Sequence, residues 1–207
     1  YDIWSTKVRY LGVGAMAVGG ISSIWSVRKG LRAAVAHVFS LFREPSHDTN
    51  DLPTERNLKP SFIVLLGVIC VALISGIYFQ LLRGDIALTS LTTVLMLVMS
   101  FFFAAVASYI VGLVGNSNSP VSGMTITALL GTGGLIWLFG FHGTEGIIAT
   151  LGVAGVVCCV ACTSGDVCND LKTGHLVGAS PRNQQVMQIL GVCVAAFVMS
   201  PVMTVLH

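Results

Sequence analysis

Six long apolar segments, separated by short polar stretches, account for most of this 207-residue chain. Each is about as long as the roughly 20 apolar residues that an α-helix needs to cross a bilayer. The segments run over about residues 8–27, 61–82, 87–114, 124–141, 146–163 and 186–206. The pattern predicts an all-α, polytopic integral membrane protein with about six transmembrane helices.

Composition supports this interpretation and argues against a soluble domain. Hydrophobic residues make up 54% of the chain and charged residues 10%, with a mean hydropathy of +0.84, whereas soluble proteins carry about 25% charged residues. We therefore expect the lipid bilayer as a partner, and neither a nucleic-acid partner nor a cofactor. The segments use the whole length, so residues 1–207 are predicted to form one transmembrane region. We interpret it as part of a longer polypeptide.

Two polar stretches are predicted to lie outside the bilayer on the same side. Residues 43–60 form the longest hydrophilic linker, and residues 164–185 are predicted to form a loop. Basic residues are retained on the cytoplasmic side of short loops, so the side with eight of the eleven Lys and Arg residues is predicted to be cytoplasmic. The eight are Arg28, Lys29, Arg32, Arg43, Arg56, Lys59, Lys172 and Arg182, against Lys7, Arg9 and Arg83 on the other side.

An uncharged polar stretch at residues 116–123 separates the third and fourth apolar segments. A non-helical break at membrane depth persists only where it is buried in protein or lines a cavity, so one interpretation is a broken or re-entrant segment that binds a polar solute. The other is an ordinary turn, since Asn, Ser, Pro and Gly are common turn residues. The candidate substrate-pathway residues are Asn116, Ser117, Asn118, Ser119, Pro120, Ser122, Gly123 and Thr125.

Ionisable residues near the ends of membrane segments are the other functional candidates. Oppositely charged residues occur together in the 164–185 stretch and could pair as a cytoplasmic gate, or belong to a solvated loop. The gate candidates are Asp166, Asp170, Lys172, Gly174, Pro181 and Arg182. His142 and Glu145, between the fourth and fifth segments, are candidates for proton coupling, although residues in such a link can simply be hydrated.

Two further kinds of chemistry have weak support. Cys158 and Cys162 share a helical face at i, i+4 spacing, but free cysteine commonly packs as a small hydrophobe, so we expect no metal site. Ser122 and His142 are the minimum for an intramembrane hydrolase, yet nothing supplies an evident orienting group, and we expect no enzyme. A passive channel or a structural membrane subunit also remains open.

Four runs of residues carry a family resemblance. They are YLGVGAMAVGG at 10–20, PTERNL at 53–58, NSNSPVSGMTI at 116–126 and DLKTGHLVGASPRNQQ at 170–185. In this order they resemble the oligopeptide transporter family, closest to its prokaryotic branch, and the last run is similar to the yellow stripe-like metal-chelate transporters of plants. The resemblance extends over nearly the whole chain.

The resemblance implies a secondary active transporter in the cell membrane, such as a bacterial inner membrane, that couples protons to the movement of small peptides or metal chelates. Family members are much longer, so the chain is expected to be a C-terminal or near-C-terminal part. Fungal and plant peptide carriers of the family often show Lys-Ile-Pro-Pro-Arg, of which only Pro181 and Arg182 carry over here. Peptide and metal chelate both stay open as solutes, and the sequence favours no oligomeric state.

Overall fold

The computed structural model describes residues 3–26 and 57–206, and every regular element within those ranges is helical. A short π-helical turn, Trp4–Val8, leads into α1, Arg9–Ser26. The other α-helices are α2, Pro60–Leu81; α3, Ile86–Val114; α4, Val121–Leu138; α5, Thr144–Val177; and α6, Pro181–Leu206. The linker predicted at 43–60 lies largely outside the described residues.

Five of these helices, α2 to α6, are long and apolar enough to cross a membrane. The first predicted segment, residues 8–27, corresponds to α1, which has 18 residues and is not among the five. The prediction of an all-α polytopic membrane protein is confirmed. Since a helix rises about 1.5 Å per residue, the 34 residues of α5 extend well beyond a hydrocarbon core of about 30 Å.

The core of the molecule is a three-helix unit in which α3 and α5 run parallel and α4 runs antiparallel to both. Two contacts show that α3 and α5 are parallel. Arg83 pairs with Glu145 at the N-terminal end of both helices, and Lys172 bonds Gly112 at the C-terminal end. Contact of Gly133 with the Thr150 side chain aligns α4 with α5. Most of the buried residues of α4 and α5 follow one another every four positions: Met124, Ala128, Thr132 and Ile136, and Ala149, Val153, Val157, Ala161 and Gly165.

Small residues on the buried face of α5 allow its neighbours to approach closely, as is usual between membrane helices. An added Cβ at Gly165 would lie 3.0 Å from the Val111 side chain of α3. At Gly152 it would collide with the side chain of Tyr78, the one buried residue among those of α2. The close packing of this unit therefore depends on glycine at specific positions.

The peripheral helices attach to this unit at restricted points. α1 packs on α4 where Gly20 meets Gly123. α6 has no buried residue and is held through Gln184, whose amide lies against Gly174 of α5. A backbone bond from Leu58 to the Gln185 side chain, 3.0 Å, joins the start of α2 to α6.

The basic residues lie at two opposite ends of the bundle. Lys59, Lys172 and Arg182 lie at the end where α3 and α5 finish and α6 begins, which we call the Lys172 end. Arg83 lies in the turn between α2 and α3, at the other end. Arg28, Lys29, Arg32, Arg43 and Arg56 lie outside the described residues.

Candidate functional site

The polar break predicted at 116–123 is a short connection between two helices. α3 stops at Gly115, which adopts φ 85°, a left-handed conformation that glycine adopts without a Cβ penalty. Its N–H still bonds the Val111 carbonyl at 2.9 Å. A single 3-10 turn follows, Asn116–Asn118. Pro120 then precedes α4, so residues 121–123 are already helical.

A row of polar contacts joins the C-terminal parts of α3 and α5, and we call it the α3–α5 polar seam. It comprises Ser108, Gly112 and Asn116 on one side, and Ser164, Asp166, Cys168 and Lys172 on the other.

The seam starts among half-buried groups and ends at exposed ones. The Ser108 hydroxyl donates to the Ser164 carbonyl at 3.3 Å, and the Cys168 thiol to the Ser108 carbonyl at 3.5 Å. Further out, Lys172 Nζ donates to the Gly112 carbonyl at 2.9 Å, and Asn116 Nδ2 donates to Asp166 Oδ1. The last contact joins a predicted pathway residue to a predicted gate residue.

Close approach at the seam depends on Gly165. An added Cβ there would lie 3.0 Å from Asn116 Oδ1 and 3.0 Å from Val111 Cγ2. A side chain at residue 165 would therefore push the start of the connection away from α5.

The other predicted pathway residues have different environments. Ser117 and Ser122 are exposed, whereas the hydroxyl of Ser119 is buried and has no hydrogen-bond partner among the described residues. Thr125 donates to the Val121 carbonyl within its own helix, 2.9 Å. Gly123 is buried beneath α1, with Gly20 Cα and the Met16 carbonyl each 3.2 Å from where its Cβ would be. The side chain of Asn118 lies outside what the structure describes.

The predicted loop at 164–185 is wrong in conformation. Residues 164–177 continue α5 as a helix, and only residues 178–180 connect it to α6, with Gly178 at φ 76°. Polarity here marks a helix that leaves the apolar region, stabilised by partners on α3 that are distant in sequence. Pro181 is the first residue of α6, a position that suits proline because its missing N–H has no intrahelical partner there.

The gate residues near the α5–α6 junction contact glutamines rather than one another. Gln184 Nε2 donates to the Asp170 carbonyl at 3.2 Å, and Gln188 Nε2 donates to Asp170 Oδ2 at 3.4 Å. Gly174 lies against the Gln184 amide, and Arg182 is exposed. A shallow cavity of about 450 Å³ lies here, lined by Asp170, Thr173, Gln184, Met187 and Gln188.

The residues predicted for proton coupling lie at the end opposite the seam. Glu145 Oε1 is 3.8 Å from Arg83 Nε, and the His142 ring lies 5.9 Å from that of Trp137, tilted by 59°. Glu145 and Asp166 are separated by 21 positions of one helix, or roughly 30 Å. The structure therefore does not bring the coupling candidates and the gate together.

Two sequence alternatives can be compared with these positions. Ser122 lies in the first turn of α4 and His142 beyond its last, so roughly 24 Å of helix separates them. A nucleophile and its base must lie within hydrogen-bond reach, so the hydrolase alternative is wrong. Among the described residues, no group of three metal-ligating side chains occurs; Cys158 is half-buried and Cys162 exposed on α5.

Sequence reasoning missed several members of these contacts. Ser108, Ser164, Cys168, Gln184 and Gln188 all bond a seam or gate residue. One signal was available, because residues 108, 112 and 116, and residues 164, 168 and 172, recur every four positions and so lie on one helical face.

Comparison with known proteins adds the family context. The model of the OPT oligopeptide transporter protein family matches residues 1–207. A Haemophilus influenzae protein named as an oligopeptide transporter is 33% identical, over 99% of this chain and 35% of its own length. The iron-phytosiderophore transporter YSL15 of Oryza sativa is 31% identical over 70% of this chain and 20% of its own.

The metal-nicotianamine transporter YSL2 of Oryza sativa is 31% identical over 47% of this chain and 15% of its own length. The chain thus spans about a third or less of these relatives. No solved structure matches it.

Proposed function

Because the chain belongs to the oligopeptide transporter family, we propose that it is part of a secondary active transporter of oligopeptides or peptide-like metal chelates, working as a proton symporter in the cell membrane. The names of its relatives support both solute classes, since one is named as an oligopeptide transporter and others are named as transporters of metal complexes. Residues 1–207 act as one transmembrane region of a longer transporter, and the Lys172 end faces the cytoplasm.

The contact between Asn116 and Asp166 carries the mechanism that we propose. It links the connection after α3 to the C-terminal part of α5, so a movement of either helix displaces the other. The connection and the start of α4 line part of the solute pathway through Asn116, Ser117, Asn118, Ser119, Pro120, Ser122, Gly123 and Thr125. Its uncharged amides and hydroxyls suit a polar or zwitterionic solute, because they can donate and accept without adding net charge.

The gate lies at the same end. The proposed gate comprises Asp170, Lys172, Gly174, Pro181 and Arg182 toward the junction of α5 with α6, and Asp166 earlier on α5 at the Asn116 contact. The short 178–180 link allows α6 to change its angle. Since α6 is attached mainly through its first turns, it is the element that moves. Its displacement opens the pathway to the cytoplasm.

Proton coupling belongs to Glu145 and His142 at the opposite end. The ion pair between Arg83 and Glu145 joins the turn between α2 and α3 to the start of α5. Protonation of Glu145 from the outer side would break this pair and release the turn between α2 and α3 from the start of α5. The cycle then couples one proton-dependent contact to one solute-dependent contact through the length of α5.

Uptake by the full-length protein in proteoliposomes tests the proposal. A labelled tetrapeptide and a labelled iron–nicotianamine complex are supplied with and without an imposed inward proton gradient. We expect at least one solute to accumulate above equilibrium, and only when the gradient is present. Flux that merely equilibrates and ignores the gradient would instead indicate a passive channel.

A further inference from the structure

Lys172 contacts the backbone of a helix that is 60 positions away in sequence. Its ammonium group donates to the Gly112 carbonyl at 2.9 Å. Gly112 lies in the last turn of α3, where the backbone carbonyls have no N–H partner within their own helix. A cation at a helix C-terminus also complements the helix dipole. Lys172 therefore supplies from α5 a cap for the C-terminus of α3.

The direction of the Lys172 side chain fits this role. Side chains on a helix tilt toward its N-terminus, so Lys172 reaches back toward Cys168, one turn earlier. The Cys168 thiol bonds the Ser108 carbonyl, one turn before Gly112 on α3. Two successive turns of α5 thus bond two successive turns of α3, and Lys172 makes the outermost of these contacts.

A second contact holds the chain just beyond the end of α3. After Gly115 the backbone turns, and Asn116 donates to Asp166 of α5. The two contacts lie on either side of the turn at Gly115, one before it and one after it. The start of the connection is therefore held at two points by the same helix.

We infer that Lys172 is a positioning residue, which caps the C-terminus of α3 from α5 and so fixes the connection at residues 115–120. It acts through Gly112 and does not contact the solute. The consequence for transport rests on the proposed function, in which this connection lines the pathway. The positioning itself does not, and it can be measured without any solute.

Cysteine labelling measures the positioning directly. Ser119→Cys places a thiol at the connection, where the native hydroxyl is buried, so a membrane-impermeant maleimide reacts with it slowly in the full-length protein. The same protein without this substitution gives the background from natural cysteines. Lys172→Met removes the cap, Lys172→Arg keeps a cationic donor, and Lys59→Met removes a charge at the same end of the bundle without touching α3.

We expect Lys172→Met to speed labelling of the reporter cysteine about three- to tenfold, the size of the net contribution of one hydrogen bond. Lys172→Arg should label within about twofold of the parent because it keeps a cationic donor. Lys59→Met should also label within about twofold, because helix-end charge effects are confined to the last turn. Equal labelling in Lys172→Met and Lys59→Met would overturn the inference. So would an equal increase in Lys172→Arg and Lys172→Met. If Lys172→Met does not fold, Lys172→Gln, which is neutral and shorter, serves in its place and carries the same expectation.

Uptake kinetics supply the second arm. If the connection lines the pathway, Lys172→Met raises KM by about threefold, at the lower end of what one lost hydrogen bond gives, and Lys172→Arg restores it. A fall in maximal rate that follows protein abundance, with KM unchanged, would show a merely structural residue. Faster labelling with normal KM would keep the positioning of the connection and remove the connection from the pathway.

Discussion

The contact between α1 and α4 makes a sharp prediction about Gly20. A Cβ at this position would lie 2.8 Å from the Gly123 carbonyl carbon and would overlap the Gly123 oxygen and the Thr127 hydroxyl. Carbon atoms pack best at about 3.5–4.0 Å, so α1 must withdraw by roughly 0.7–1.2 Å. A gap of that size forfeits about a quarter to a half of the dispersion attraction along the interface.

We expect Gly20→Ala to lower the free energy of unfolding by about 1–3 kcal/mol, the usual cost of overpacking. Gly14→Ala is the matched control, because nothing lies within 4 Å of its Cβ position on the same helix. Both variants share the gain of about 0.5–1 kcal/mol from replacing a helical glycine. Their difference therefore isolates the overpacking at Gly20.

Equilibrium unfolding of the full-length protein by SDS in mixed micelles measures this difference. The double variant Gly20→Ala, Thr127→Ala should recover less than half of the loss, since the Thr127 hydroxyl is removed while the Gly123 carbonyl stays. Equal stability of Gly20→Ala and Gly14→Ala would refute the close approach of α1 to α4.

Three further outcomes follow from the same contacts. Glu145→Gln should change stability by less than about 0.5 kcal/mol, because exposed ion pairs contribute little, yet weaken proton-driven accumulation; unchanged accumulation across a pH gradient removes Glu145 from coupling. Asn116→Asp places two carboxylates side by side at Asp166, so KM for uptake should rise more at low salt than at high salt, whereas a salt-independent KM would contradict the contact. Gly174→Ala displaces the Gln184 amide from α5, so a disulfide engineered between α5 and α6 should form more slowly than in Gly155→Ala, whose Cβ position is open.

The transmembrane helices could be predicted because the bilayer core requires a continuous run of about 20 mostly apolar residues in each span. The predicted segments at 61–82 and 87–114 agree within one residue with α2 and α3. The fifth segment was predicted to end at residue 163, whereas α5 continues to Val177. Polarity reports where a chain leaves the bilayer, and a helix can continue past that point when tertiary partners stabilise it.

The seam was harder to predict, for a different reason. Asn116 and Asp166 were both identified, but as members of separate groups, because their contact depends on α3 and α5 running side by side in parallel. The partners of Cys168 and Lys172 are backbone carbonyls, which every residue possesses and which leave no mark in a sequence. The polar side chains of the seam could therefore be identified from the sequence, whereas the backbone carbonyls that accept their hydrogen bonds could not.

The length of α5 makes the seam sensitive to the surrounding lipid. The apolar part of this helix, residues 146–163, matches a hydrocarbon layer of about 27 Å, and Asp166 lies one turn beyond it. A thicker bilayer would draw this carboxylate toward the acyl chains. Water is scarce there, so the hydrogen bond from the Asn116 amide would contribute more to the stability of the carboxylate. Membrane thickness thus acts as a physical input that strengthens or weakens the Asn116 contact without any solute being bound.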